Sequence, residues 1–267
     1  MRQPSPIARV FQRLRREGRT GLVTYVTAGD PDAERSAAII RALDRAGADI
    51  LEIGVPFSDP MADGPVIQRA TERALAAGTT LARVLDLIER LRADVTAPIV
   101  VFSYANPVFR MGLHAFAQRA RAAGVNGVLL LDLPVEEAGE AHAVFDASEL
   151  DTIFLLSPTT TTERIARAAA MGRGFLYGIS RLGVTGARDE VAADAKALVE
   201  RMRARTDLPI ALGFGISRPE HVAEVGRWAD AAVVGSALVS VIAEHGSRDT
   251  LVPAVEGFVR WLKGAAA

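Results

Sequence analysis

The chain has 267 residues, of which 49% are hydrophobic, and it contains no cysteine. This length is typical of one α/β barrel, and the apolar side chains suffice for a large core. The lack of cysteine excludes disulfides, thiolate metal sites and a cysteine nucleophile, and it fits a reducing cytoplasm, where we expect the protein to reside. A formal net charge of -1 argues against nucleic-acid binding, which needs a clear basic excess.

The amino-terminal segment, residues 1–18, is rich in arginine and amphipathic. Its apolar residues Ile7, Val10, Phe11 and Leu14 share one helical stripe, so we interpret the segment as a helix that closes one end of the domain. It lacks the apolar stretch of a secretory signal, and no run approaches the roughly twenty apolar residues that a membrane span requires. We therefore expect no membrane association.

Short apolar runs then alternate with helical stretches along the rest of the chain. Eight runs are rich in Val, Ile and Leu: residues 21–27, 49–54, 99–104, 127–131, 152–156, 174–179, 210–213 and 231–235. Their nearly continuous hydrophobicity is typical of parallel strands covered on both faces. Eight β/α units predict an α/β fold, a single (β/α)8 TIM barrel over residues 1–267 with an extra N-terminal helix. A doubly wound sheet is the alternative.

Two kinds of signal set the boundaries between these units. Asp30 is predicted to cap a helix that starts at Pro31, and residues 160–163 and 217–220 have the pattern of capping boxes. Two connections, residues 55–80 and 180–189, exceed the short loops that are usual in barrels. Both follow the carboxyl ends of predicted strands, where barrel enzymes build their active sites.

Glu52 is the first candidate for chemistry, because it interrupts an otherwise apolar strand. Strand alternation places Ile50, Glu52 and Gly54 on one face and Leu51 and Ile53 on the other. If the second face packs on helices, Glu52 points into the barrel. Burial there would raise the pKa of its carboxyl, which could then hold a proton and deliver it as a general acid. The alternative is a structural carboxylate that is hydrogen-bonded to its neighbours.

Asp63 is the second candidate and lies in residues 57–65, a segment dense in turn-forming residues. Asp59 and Asp63 could therefore simply cap turns. The length of the connection, and its start a few residues after Glu52, favour a further role for Asp63. Two carboxylates brought together in this way could divide acid and base functions.

Glycines follow three of the predicted strands, in residues 180–186, 213–217 and 234–236. Glycine lets the backbone approach an anion closely, and helix amino termini offer unpaired N–H groups to it. Barrels often bind phosphate at the loops after their last two strands, so we expect a phosphate site there. Tight packing around these glycines is the alternative. Arg218 occupies the third glycine position of the dinucleotide-binding fingerprint and argues against that site.

Several chemistries are excluded by residues that the chain lacks near its strand ends. A Schiff-base aldolase needs a lysine in the barrel mouth, but the two lysines, Lys196 and Lys263, fall on predicted helices. We expect no metal site, because the four histidines also fall on helices without ligand spacing: His114, His142, His221 and His245. Chemistry on a phosphosugar would then depend on carboxylates.

Six segments resemble one known family, the tryptophan synthase alpha subunit, and occur in that family's order: residues 24–31, 51–60, 62–65, 104–107, 183–186 and 213–217. The resemblance covers almost the whole chain, and the stretch from Glu52 to Pro65 is highly specific. It implies a lyase that cleaves indole-3-glycerol phosphate to indole and glyceraldehyde 3-phosphate, with the indole passed to a beta subunit for tryptophan synthesis.

The resemblance also implies catalytic roles. Glu52 matches the family's catalytic glutamate, which moves a proton to and from the indole ring. Asp63 matches the aspartate that hydrogen-bonds the indole N–H and stabilises its developing positive charge. Once C3 of indole is protonated, the ring accepts the electrons of the bond to the glycerol chain, which leaves by retro-aldol cleavage. No lysine is then required.

The same resemblance assigns the binding residues. A phosphate site of backbone N–H groups falls on four positions: Gly186, Gly215, Gly235 and Ser236. An apolar and aromatic indole pocket is expected from four others: Tyr25, Phe102, Leu129 and Phe214. Tyr177 matches a tyrosine near the catalytic glutamate.

Two further segments resemble regulatory parts of the family. Residues 181–194 resemble its mobile loop, in which Thr185 meets Asp63 on closure. The loop around Asp59 and Pro60 resembles the surface that docks a beta subunit in an alpha2beta2 tetramer. Pyridoxal phosphate is expected in that partner, and no cofactor is expected in this chain.

Three other functions stay open from the sequence. The same site would serve a stand-alone lyase that releases free indole. A non-catalytic activating subunit is disfavoured by the presence of both Glu52 and Asp63. A metal-free phosphosugar isomerase is also possible, since carboxylates catalyse enolisation.

Overall fold

The computed structural model describes residues 3–179, 188–213 and 215–264, with the backbone alone for residues 188–193. These ranges contain nine strands: β1 (Gly21–Thr27), β2 (Ile50–Gly54), β3 (Ile99–Ser103), β4 (Gly127–Leu130), β5 (Asp151–Ile153), β6 (Leu155–Leu156), β7 (Leu176–Ile179), β8 (Ile210–Gly213) and β9 (Ala231–Val234). The hydrogen-bonded order is β5-β4-β3-β2-β1-β9-β8-β7-β6, and every pair is parallel. Since Phe154 alone separates β5 from β6, the two are halves of one strand, and the sheet closes as an eight-strand barrel.

Twelve helices accompany the strands in the described ranges: α1 (Pro6–Glu17), α2 (Ala33–Arg45), α3 (Pro65–Ala76), α4 (Leu81–Leu91), α5 (Ala105–Met111), α6 (Leu113–Ala122), α7 (Gly139–Ala147), α8 (Thr162–Met171), α9 (Arg188–Arg203), α10 (Pro219–Val225), α11 (Ser236–His245) and α12 (Leu251–Leu262). The predicted (β/α)8 TIM barrel is therefore confirmed. Within these ranges no helix combines the length and the apolarity that crossing a membrane would need.

The extra N-terminal helix is also confirmed. Ser5 caps α1 by accepting a hydrogen bond from the N–H of Ala8 at 3.1 Å. The predicted apolar stripe of α1 is buried and packs into the barrel interior, where the rings of Phe11 and Phe175 lie 5.7 Å apart. The helix thus closes the barrel at the end opposite the strand carboxyl termini.

The side chains of β2 alternate between two environments. Leu51 and Ile53 pack in the large cluster between the sheet and the outer helices. Ile50 points inward and packs with Val23 and Val100 in the barrel interior. This alternation directs Glu52, two residues further along, into the barrel near its open end.

Three predicted helix starts are corrected by the structure. Helix α2 begins at Ala33 and is capped by Asp32, whose carboxylate accepts from Arg35 N–H at 2.9 Å. Asp30 does not cap it, because the Asp30 carboxylate is buried and engaged by Arg73 of α3 at 2.7 Å and 2.9 Å. The Asp30–Pro31 peptide bond, which precedes the helix, is cis.

The other two starts are shifted by one residue. Thr161 rather than Thr160 caps α8, accepting from Arg164 N–H at 3.3 Å. The cap of α10 is Arg218, which makes no side-chain cap hydrogen bond, so residues 217–220 do not form a capping box.

The two long connections differ from simple loops. Residues 55–80 contain all of α3, which leaves a shorter loop from Val55 to Gly64. Of the second connection, residues 180–187 lie outside the described residues, and α9 begins at Arg188.

Candidate active site

A pocket of 700 Å³ opens at the carboxyl ends of the strands. Its lining includes Glu52 from β2, Asp63 from the loop after β2, and Ser236 at the start of α11. At this end of a (β/α)8 barrel, the loops that follow the strands build the active site. The pocket therefore brings together the two carboxylates and part of the predicted phosphate site.

Glu52 borders this pocket but is fully excluded from solvent, with 0% exposure. Neither of its carboxyl oxygens has a hydrogen-bond partner among the described residues. Burial removes the water that would stabilise a carboxylate, and it raises the pKa of Glu52 from 4.5 to about 8. Near neutral pH the side chain therefore carries a proton.

Asp63 is half-buried and lies on the loop that enters α3. The hydroxyl of Tyr104 donates a hydrogen bond to Asp63 Oδ2 at 3.3 Å. The Gln68 amide donates to the backbone carbonyl of Asp63 at 2.8 Å and so fixes the loop. Burial raises the pKa of the Asp63 carboxyl, and the hydrogen bond from Tyr104 opposes that rise. The two carboxylates of the pocket thus occupy different environments.

Among the described residues, two tyrosines and one phenylalanine form the aromatic part of the lining. The rings of Tyr25 and Phe102 meet edge to face, with centroids 5.3 Å apart and planes at 75°. Burial and the charge of Glu52 raise the pKa of Tyr177 well above its ordinary value. The pKa of Tyr25 is also raised, by burial and then by the charge of Asp63. Both phenols stay neutral and can donate hydrogen bonds.

Two glycines make room for these phenols. A Cβ atom at Gly213 would lie 2.7 Å from the Tyr177 hydroxyl oxygen. A Cβ atom at Gly54 would collide with the Tyr25 hydroxyl and ring. The strand ends at these positions therefore require glycine if the aromatic side chains are to keep their places.

The predicted phosphate site lies in part on the described residues. Gly215 adopts a left-handed conformation with φ of 60° and borders the pocket with Gly235 and Ser236. Helix α11 begins at Ser236, and no side chain caps its amino terminus. The unpaired N–H groups and the positive end of the helix dipole favour an anion at this point. Gly186 lies outside the described residues.

The structure does not bring every predicted residue to the pocket. Leu129 is fully buried in the barrel interior, one layer below the pocket, and Leu131 borders the pocket instead. Thr185 and Phe214 lie outside the described residues. Asp59 and Pro60 lie on the loop between β2 and α3, with Asp59 exposed and accepting a hydrogen bond from the Ser58 hydroxyl at 2.6 Å.

Sequence reasoning missed the hydrogen bond between Tyr104 and Asp63, although it recognised the segment that begins at Tyr104. It also missed apolar residues of the lining: Ile67, Leu131, Leu155, Ile179, Ile216 and Val233. Several of these could have been predicted from their location in the sequence, because an inward-facing residue at the carboxyl end of a barrel strand borders the open end of the barrel.

No lysine or histidine belongs to the described lining of the pocket, although the N–H of the lining residue Ser217 donates to His221 Nδ1 at 3.3 Å. Lys196 pairs with Glu200 on α9 at 3.7 Å, and Lys263 follows α12, where it donates to the carbonyl of Gly47. The four histidines lie on α6, α7, α10 and α11. Among the described residues, no group of three or more His, Asp or Glu side chains is arranged to hold a metal ion.

These features define a (β/α)8-barrel enzyme with a proton-holding carboxyl group in its mouth. Comparison with known proteins specifies which one of the many barrel families this is. The family model of the tryptophan synthase alpha chain matches residues 11–265, and the chain belongs to that family.

Individual relatives agree with this assignment. The tryptophan synthase alpha chain of Solibacter usitatus is 49% identical over 257 residues, which cover 96% of each chain. The crystal structure of tryptophan synthase subunit alpha from Legionella pneumophila has a TM-score of 0.91 at 36% identity and covers 98% of each chain. Mycobacterium tuberculosis tryptophan synthase gives a TM-score of 0.89 at 38% identity, again over 98% of each chain.

Proposed function

We propose that this chain cleaves indole-3-glycerol phosphate to indole and glyceraldehyde 3-phosphate, as the alpha subunit of a tryptophan synthase. The single observation that carries the proposal is the buried Glu52 carboxyl, which has no described hydrogen-bond partner and a pKa of about 8 in a pocket that Asp63 also borders. A proton held in this way is available to a substrate carbon at neutral pH. Family membership supplies the substrate.

The reaction starts with transfer of the Glu52 proton to C3 of the indole ring. Asp63 accepts a hydrogen bond from the indole N–H and stabilises the positive charge that develops on the ring. The bond between C3 and the glycerol chain then breaks, and its electron pair returns to the ring. The ionised Glu52 accepts the proton of the glycerol hydroxyl as that group becomes the aldehyde. Glu52 is thereby restored to its starting state.

The substrate is held at both ends in this proposal. The backbone N–H groups of Gly215, Gly235 and Ser236 bind the phosphate together with the amino terminus of α11. Tyr25 and Phe102 provide aromatic walls for the indole ring. Gly186, Thr185 and Phe214, assigned from the resemblance, would complete the site, and Tyr177 would contact the substrate beside Glu52.

The test compares wild type with Glu52→Gln, which preserves the shape of the side chain but cannot donate a carboxyl proton. Indole release should fall by roughly 10²–10⁴-fold, the usual contribution of a general acid. Binding of glycerol phosphate should persist, because that end of the pocket is unchanged. Glu89→Gln, on an exposed position of α4, is the matched control and should keep wild-type activity. Substantial indole release by Glu52→Gln contradicts the assignment.

A partner follows from the same family. The relatives of known structure include Mycobacterium tuberculosis tryptophan synthase. We propose that a beta chain carrying pyridoxal phosphate docks on the loop of Asp59 and Pro60 in an alpha2beta2 complex in the cytoplasm. In support, Asp59 is exposed and the next apolar side chain, Met61, is 89% exposed. Both side chains are therefore accessible to a docking subunit.

Turnover with and without a beta chain tests this partner and the alternative of a stand-alone lyase. Asp59→Lys should reduce stimulation by the beta chain and leave the unassisted rate at its wild-type value. Glu89→Lys reverses a charge on α4 and should leave the stimulation intact. A high unassisted rate that the beta chain does not increase would favour the stand-alone lyase.

A further inference from the structure

Tyr104 lies behind Asp63, outside the pocket lining. It directly follows β3, and only 4% of its surface is exposed. Its hydroxyl makes two hydrogen bonds to one loop: it accepts from the N–H of Ala62 at 3.0 Å and donates to Asp63 Oδ2 at 3.3 Å. One oxygen atom therefore connects the end of β3 to the loop that carries Asp63.

The position of this hydroxyl is set by the barrel itself. The Tyr104 ring packs on Phe57, with centroids 5.1 Å apart and planes at 33°. The next residue, Ala105, donates its N–H to Asp132 Oδ1 at 2.7 Å. The Ser103 hydroxyl donates to the Tyr104 carbonyl at 2.8 Å. Tyr104 is thus fixed on both sides along the chain, whereas Asp63 belongs to a loop.

We propose that Tyr104 is a positioning residue, whose hydroxyl holds the Asp63 carboxylate in the orientation that receives the indole N–H. This inference rests on the proposed function and identifies a residue that acts through Asp63, without contact with the substrate. The N–H of Ala62 polarises the Tyr104 hydroxyl and makes it a better donor to the carboxylate.

The hydrogen bond also has a pH signature with a defined sign. Burial raises the pKa of Asp63, and donation from Tyr104 lowers it. The other titratable groups that border Asp63's side of the pocket, Glu52 and Tyr25, are neutral near pH 7 because burial raises the pKa of each. Removal of the Tyr104 hydroxyl should raise the pKa of Asp63 further. The activity requires ionised Asp63, so the acid limb of the pH profile of kcat/KM should move to higher pH.

The experiment measures indole release by wild type and Tyr104→Phe, which retains the ring against Phe57 and removes only the oxygen. Loss of a hydrogen bond to a charged group predicts a fall in kcat of roughly tenfold, with KM changed by less than about threefold. Glu89→Gln, on the exposed surface of α4 and outside the site, is the control and should keep the wild-type kcat and the wild-type acid limb.

A second comparison separates positioning from a general effect on folding. In the Asp63→Ala background, which has no side-chain acceptor for the Tyr104 hydroxyl, Tyr104→Phe should cause little additional loss of kcat, because both changes remove the same interaction. If wild type is active but the acid limb of Tyr104→Phe does not move, the role of Tyr104 alone is overturned. Additive losses of kcat in the double variant would overturn it as well. A wild type that releases no indole overturns the proposed function and this inference with it.

Discussion

Glu52→Gln should make the protein more stable while it removes the activity. The folded protein holds Glu52 protonated up to about pH 8, whereas an exposed glutamate ionises near its ordinary pKa of 4.5. Folding therefore takes up a proton between these values, and stability falls as pH rises through that window. Glutamine is neutral at every pH and close to the protonated glutamate in size. The difference between the two proteins thus isolates the ionisation of Glu52.

The magnitude follows from the displaced pKa. A shift from 4.5 to about 8 spans about 3.5 pH units, and one unit corresponds to about 1.36 kcal/mol. The compared quantity is the free energy of unfolding of the variant minus that of wild type. Relative to its value below about pH 4, this difference should be larger by roughly 3 kcal/mol at about pH 7 and by roughly 5 kcal/mol above about pH 8. Glu52 is fully buried, so solvent does not screen the effect.

Urea unfolding of wild type and Glu52→Gln at about pH 4, 7 and 9 measures this difference. Glu89→Gln makes the same replacement on the exposed surface of α4 and should leave the free energy of unfolding close to that of wild type. If the stability of Glu52→Gln follows that of wild type in parallel across the whole range, Glu52 takes up no proton on folding. The reasoning that makes it a general acid would then be refuted.

Three further changes test the packing that supports the site. Gly54→Ala places a Cβ atom against Tyr25, so kcat/KM should fall by more than about tenfold because even a 1 Å displacement in a site is costly; an unchanged rate would contradict the fit. Arg73→Met leaves the buried carboxylate of Asp30 unpaired, and urea unfolding should show a loss of roughly 2–3 kcal/mol, below that of a fully buried pair because the Arg73 side chain is 37% exposed. Gly257→Ala, in α12 with open space around the added methyl group, should stabilise the protein by about 0.5–1 kcal/mol; a lower melting temperature would disagree.

The direction of Glu52 could be predicted from the sequence, because alternation along a strand is a local property. Leu51 and Ile53 face the helices and Ile50 faces the interior, as the apolar pattern requires. The depth of a side chain along the barrel axis, by contrast, is not a local property of the sequence. Leu129 and Leu131 both point inward, but only Leu131 reaches the pocket, since depth depends on the stagger between neighbouring strands.

Helix starts were predicted less well, for a related reason. Asp30 and Asp32 are both suitable caps on sequence alone, and a tertiary contact decides between them. Arg73, more than forty residues away in the chain, engages Asp30 and leaves Asp32 to cap α2. The role of Tyr104 was missed in the same way, because its partner Asp63 follows a different strand.

Deuterium exchange at C3 of indole measures the central proton transfer without carbon–carbon bond cleavage. The protein is incubated with indole and glycerol 3-phosphate in heavy water, and the C3–H signal is followed by NMR. Wild type should exchange this hydrogen far faster than protein-free solution, and Glu52→Gln should not. Equal exchange by the two proteins, or none by wild type, would contradict a proton carried between Glu52 and the ring.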